Sequence, residues 1–173
     1  MTTATSISPT ELMLREFREE AAATKRILER VPADKLTWKP HDKSMSLGQL
    51  ANHIALIPKR IASLVQADHF DVSTANFNPP SPASLEEVQA AFAESVRAAE
   101  AYLASLTEET ASANWSLMFG PKEIFTKPRI AVVRTMMMNH WYHHRGQLTV
   151  YLRLLDVALP VIYGRTADEN PFA

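Results

Sequence analysis

Apolar residues along the 173-residue chain recur in steps of three and four, the spacing that draws one stripe down an α-helix. The first stripe runs Leu14, Phe17, Ala21, Thr24, Ile27 and Leu28, and stops before Pro32. Ser8-Pro9-Thr10-Glu11 precedes it, with a serine for the N-cap, proline at the first helical position and glutamate at N3. Ser46-Leu47-Gly48-Gln49 reads as a second capping box and opens the stripe Leu47, Leu50, Ile54, Ile57, Ile61 and Leu64. Pro58 falls inside this segment, leaves the carbonyl of Ile54 without its usual partner, and predicts a kink or an early end. Ser84-Leu85-Glu86-Glu87 caps a third helix whose inward set is Val88, Ala91, Phe92, Ser95, Ala98, Tyr102 and Leu106. A fourth is expected from about Thr126 to about Asp156, long enough to cross a small domain.

The connections differ in character. Asp71 to Pro82 is rich in Asn, Pro and Ser and reads as a crossover loop. Asn114 to Phe125 holds Gly120-Pro121 among large apolar residues and reads as an ordered loop or a short hairpin. The fold expected is therefore all-α, a four-helix bundle with a long crossover between helices two and three. It occupies residues 1–173 as one domain, with Val161 to Arg165 as an irregular tail on the bundle end.

Composition narrows the partners. Eighteen basic and 19 acidic residues leave a net charge of −1 with no basic stripe, which argues against nucleic acid. No apolar run approaches the ~20 residues of a membrane span. Met-Thr-Thr-Ala-Thr-Ser lacks the basic and apolar regions of a secretory signal, so a cytoplasmic protein is expected. Cysteine is absent, so any metal must be held by nitrogen and oxygen ligands.

The candidate chemistry lies on the fourth helix. Its inward positions are read as Met137, His140, His144, Leu148, Tyr151 and Leu155, which puts two imidazoles, one turn apart, on a core-facing stripe. Such groups must find hydrogen-bond partners or bind something. His53, between Leu50 and Ile57, borders the stripe of helix two. The conjunction of His53, His140 and His144 points to a metal site with an open position, the arrangement of catalytic zinc centres. A histidine-lined core without metal is the competing reading. His143, about 60° round the helix from His140, is an alternative to His144 but reads better as a surface or interface residue.

Other residues carry weaker signals. Trp141 stands where a zinc protease has its glutamate, and the Glu-x-x-His pairs of di-iron bundles are absent. His41 and His69 read as solvated loop residues, Met136 to Met138 as core filling, and Trp38 and Trp115 as packing anchors. Trp141 suits a pocket wall or a helix interface. Gln49, Asn52 and Gln147 are candidates for orienting imidazoles. Arg145 suits an anionic substrate or a carboxylate partner, and Glu16, Glu19 and Glu20 are candidates for proton transfer, with nothing to select one as catalytic.

Trp38-Lys39-Pro40, Ser46-Leu47-Gly48-Gln49-Leu50-Ala51-Asn52-His53-Ile54 and His140-Trp141-Tyr142-His143-His144-Arg145-Gly146-Gln147-Leu148 resemble the DinB-like, damage-inducible family. The likeness extends over nearly the whole chain to Pro160-Val161-Ile162-Tyr163-Gly164. It implies a four-helix bundle with a divalent metal, zinc or nickel, held by His53, His140 and His144, and a homodimer. The wider superfamily includes metal-dependent thiol transferases and a mycothiol-dependent maleylpyruvate isomerase. The function expected is thus metal-dependent chemistry on a small molecule, in the first place thiol S-transfer, with a low-molecular-weight thiol at the open position. A metal-dependent hydrolase and a metal-stabilised, non-catalytic binding module associated with stress are the alternatives. Asp156 departs from the family, which often has glycine after helix four. The family name refers to DNA damage and does not imply DNA binding.

Overall fold

A computed structural model describes residues 7–172. The expectation about a secretory signal falls on Met1 to Ser6, outside the described residues. Helix α1 (Pro9–Leu28) is capped by Ser8, whose hydroxyl accepts from the Glu11 N–H. Glu11 does not close a reciprocal box; its carboxylate pairs with Arg15 at 2.5 Å. Helix α2 (Leu47–Leu64) has the full capping box between Ser46 and Gln49. The Trp-x-Pro segment docks on the start of this helix. The Leu47 and Gly48 N–H groups, otherwise orphans of the first turn, donate to the Trp38 and Leu36 carbonyls at 2.8 Å. Gly48 permits this approach, because a Cβ there would stand 3.0 Å from the Leu36 oxygen.

Helix α2 runs through Pro58 without ending. The carbonyl of Ile54, which proline deprives of its partner, accepts the indole N–H of Trp141 at 2.9 Å. Just past the proline, the Lys59 N–H donates to the Ser95 hydroxyl at 2.8 Å. Ser95 is fully buried on helix α3 (Leu85–Ser105), and these two bonds stitch α2 to its neighbours on both sides. Along α3 the buried residues are Val88, Phe92, Ser95, Ala99 and Leu103. The expected stripe drifts by one position in its second half, where Ala98 and Tyr102 give way to Ala99 and Leu103.

The all-α expectation fails at one end of the molecule. The protein is mostly helical but carries a small three-stranded sheet, with order β1 (His69–Asp71), β2 (Asn114–Phe119), β3 (Lys122–Pro128). β1 pairs parallel to β2, with His69 opposite Ser116, and β2 pairs antiparallel to β3, with Trp115 opposite Lys127. The hairpin is the longer form of the ordered segment expected at Asn114 to Phe125, and it absorbs Thr126 to Pro128, expected in helix four. Gly120 takes a φ of +54° ahead of Pro121, the sequence of signs of a type II′ hairpin turn. Asp71 ties the crossover to this turn by accepting the Gly120 N–H at 2.9 Å. Trp115 is fully buried and anchors the sheet to the helices. A short helix α4 (Glu108–Ser112) leads into the hairpin.

The last long helical stretch has three parts: α5 (Arg129–Val132), a π-helical turn (Val133–Asn139) and α6 (His140–Leu154). Its buried row is Val133, Met137, Trp141, Arg145, Leu148 and Leu152. The row expected to hold His140, His144, Tyr151 and Leu155 is displaced one position round the helix and lies half-buried. Arg145 is the reason the true row is hard to see. It is 2% exposed at an inward position, where its guanidinium pairs with Glu20 at 2.6 Å and donates to Thr24 and to the Tyr163 hydroxyl. This contact pulls the C-terminal tail onto α1. Helix α6 ends in a Schellman motif, with Val157 N–H to the Leu152 carbonyl at 3.0 Å and Asp156 N–H to that of Arg153 at 3.1 Å. Asp156 has a φ of +56°, so the residue that departs from the family's glycine occupies the left-handed position.

Candidate metal centre

His53 leaves α2 and His140 and His144 leave α6 toward the same half-buried space. The Nε2 atoms of His140 and His144 are 2.7 Å apart, and those of His53 and His140 are 3.4 Å apart. One ligand atom from each of the three rings lies within 4.8 Å of the others. Two nitrogens bound at 2.0–2.1 Å to one tetrahedral ion would be roughly 3.3 Å apart. The His53–His140 pair already has that separation, and the closer pair would open slightly.

The far side of the His144 ring is held. Gln147 Oε1 accepts from His144 Nδ1 at 2.7 Å. Nε2 of His140 faces the rings of His53 and His144. At the end of the π-turn the His140 N–H goes to the Met137 carbonyl. With Nδ1 of His144 donating to Gln147, the neutral ring turns the lone pair of its Nε2 inward. Three imidazole nitrogens that converge within 4.8 Å, one of them with its lone pair turned inward, are a donor set that fits a metal ion.

The protonation state agrees. Burial first, then the positive charges that His144, His140 and Arg60 would present, push His53 down to about 4. Burial also lowers His140 and His144, against the opposing effects of the Met136 and Gln147 hydrogen bonds. All three are neutral, ligand-competent imidazoles near pH 7.

The remaining candidates have other roles. His143 is exposed, with its ring 4.9 Å from that of His144. His41 and His69 are exposed, though His69 lies on β1 and not in a loop. Gln49 and Asn52 flank His53, and their side-chain hydrogen bonds go elsewhere. They donate to the Pro79 and Pro80 carbonyls at 3.3 Å and pin the crossover beside the site. Trp141 is packing: it is fully buried and stacks on Phe17 with centroids 5.5 Å apart. Glu16 pairs with Arg134 and the Tyr142 hydroxyl, Glu20 with Arg145, and Glu19 is exposed, so none reaches the histidines. Gln147 was legible as a residue three after His144.

The model of the DinB family matches residues 1–170. The chain belongs to the DinB family. A DinB-like protein from Bacillus cereus ATCC 10987 has the same fold, with a TM-score of 0.66 at 23% identity, over 87% of this chain and 95% of that one. A DinB-like protein from Bacillus subtilis gives a TM-score of 0.68 at 20% identity, over 90% and 99% of the two chains. No curated protein matches. Among the described residues of this DinB protein, no helix is long and apolar enough to cross a membrane.

Proposed function

We propose that this DinB protein binds one divalent ion, zinc or nickel, through His53, His140 and His144, and uses it as a thiol S-transferase acting on small molecules in the cytoplasm. The observation that carries the reading is the inward convergence of three Nε2 atoms, with the His144 ring held from behind by Gln147. Bound there, the ion would lower the pKa of a coordinated thiol and hold it as thiolate.

One observation favours the thiol over hydrolysis. Neither Leu47–Leu64 nor Arg129–Leu154, the stretches that carry the ligands, contains an Asp or Glu. A thiol, with a free pKa of about 8.5, ionises on a metal more readily than water and leaves less for a general base to do. The non-catalytic, metal-stabilised module is the second reading, supported by the same lack of acid and base groups. A homodimer is proposed through the outer face of α6, where Val150 and Leu154 are 58% and 59% exposed one turn apart.

Elemental analysis of untagged protein tests the metal site: about one divalent ion per chain is expected, with loss of binding when all three histidines become alanine. Less than about a tenth of an ion after supplementation, or unchanged binding in the triple variant, would sink the site. A turnover screen with low-molecular-weight thiols and a chromogenic electrophile then separates enzyme from module. Thiol-dependent turnover lost in a folded His144→Ala protein supports the transferase; its absence from a metal-loaded protein supports the module.

A further inference from the structure

The charges on the two ligand-bearing stretches are almost fully paired. Lys59 pairs with Glu94, Arg129 with Asp68, Arg134 with Glu16, Arg145 with Glu20 and Arg153 with Asp168. The carboxylate in every pair comes from another element, since these stretches have none of their own. Arg60 is the exception: it is exposed and has no ion pair or hydrogen bond among the described residues.

Its position relates it to the metal centre. Arg60 follows His53 by seven residues, which on an α-helix returns to the same face about 10 Å farther along the axis. Leu56 lies between them on that face, partly exposed. An arginine side chain spans more than half of this separation, and its fork of donors matches a carboxylate or a phosphate. A row thus runs along the outer side of α2: metal-binding imidazole, apolar step, unpaired guanidinium. With three neutral ligands, a bound divalent ion keeps its full charge, and no acidic side chain on either stretch offsets it.

We infer that Arg60 is a specificity residue of the metal centre, and that its substrate carries an anionic group, carboxylate or phosphate, beyond a short apolar segment from the atom that meets the metal. The inference rests on the proposed metal site and names the class of molecule that site selects. It is tested with a probe pair of equal length, 6-mercaptohexanoate and 6-mercaptohexanol, titrated into cobalt-loaded protein and followed by the visible cobalt spectrum. At low ionic strength the carboxylate should bind about five- to tenfold more tightly, as expected for one charge-assisted contact. Arg60→Gln should bring the two thiols within about twofold, Arg60→Lys should keep part of the preference, and Arg60→Glu should reverse it. Cobalt and thiol binding with no preference in the parent protein, or with an unchanged preference in Arg60→Gln, overturns the role of Arg60 alone. Failure to load cobalt, or a cobalt spectrum that neither thiol alters, overturns the proposed site itself and this inference with it.

Discussion

Trp141 and Pro58 form one device, and separating them tests how this helix pair is held. Proline at position 58 cannot donate to Ile54, and the Trp141 indole N–H satisfies that carbonyl at 2.9 Å inside a core where both residues are fully buried. Trp141→Phe keeps an aromatic ring against Phe17 but orphans the carbonyl. An unsatisfied buried acceptor costs about 1–3 kcal/mol. The smaller ring adds a packing loss of about 1 kcal/mol for a cavity of roughly 40 Å³. The total expected is about 2–4 kcal/mol. In a Pro58→Ala background the new N–H at position 58 can serve Ile54, so only the packing part should remain. Urea unfolding of the four proteins of this cycle, followed by circular dichroism, should give a coupling of about 1–3 kcal/mol, with the double variant more stable than the sum of single costs. Costs that add within about 0.5 kcal/mol would mean that the indole bond does not substitute for the missing backbone bond.

Three further outcomes follow from the site and the helix end. Gln147→Leu should weaken metal affinity about 10–100-fold by freeing the His144 ring, while Gln147→Glu keeps an acceptor there; competition with a chromogenic chelator measures both, and equal affinities in parent and Leu variant would refute the orienting role. For metal-free protein, the lowered histidine pKa values mean that the folded state binds fewer protons than the unfolded chain between pH 6.5 and about 4, so stability is retained above 6.5 and lost as pH falls through this window. Urea midpoints from pH 7 to 4 should show this slope, reduced in His53→Gln; an identical slope in that variant would falsify the assignment to His53. Asp156→Gly should stabilise the protein by about 0.5–1 kcal/mol, because glycine takes a φ of +56° without a Cβ penalty. An unchanged or lower melting temperature would argue against strain at that position.

The helices were legible because capping and stripe signals are local. Ser8, Ser46 and Ser84 mark starts that the structure keeps, and Pro58 announced a carbonyl in need of a partner. The sheet was less so: β1 has three residues, and its parallel partner β2 begins more than forty positions later, a pairing that no local pattern specifies. The register of the last helix was misread for a different reason. A stripe reading assigns arginine to solvent, whereas Arg145 is buried because Glu20, Thr24 and Tyr163 meet it from α1 and the tail. The imidazoles were moved from the core to its flank, where a small molecule can reach them.

Residue types and their spacing by themselves determined which groups are available: three imidazoles, no thiolate, and no carboxylate on the stretches that carry them. That follows from periodicity and composition, which are properties of the chain alone. Tertiary structure decided that the three rings meet, since His53 on α2 and His140 on α6 are 87 positions apart in the chain. It also decided that Arg60 has no ion-pair partner among the described residues, because the carboxylates that neutralise the other cations of these stretches arrive from other elements.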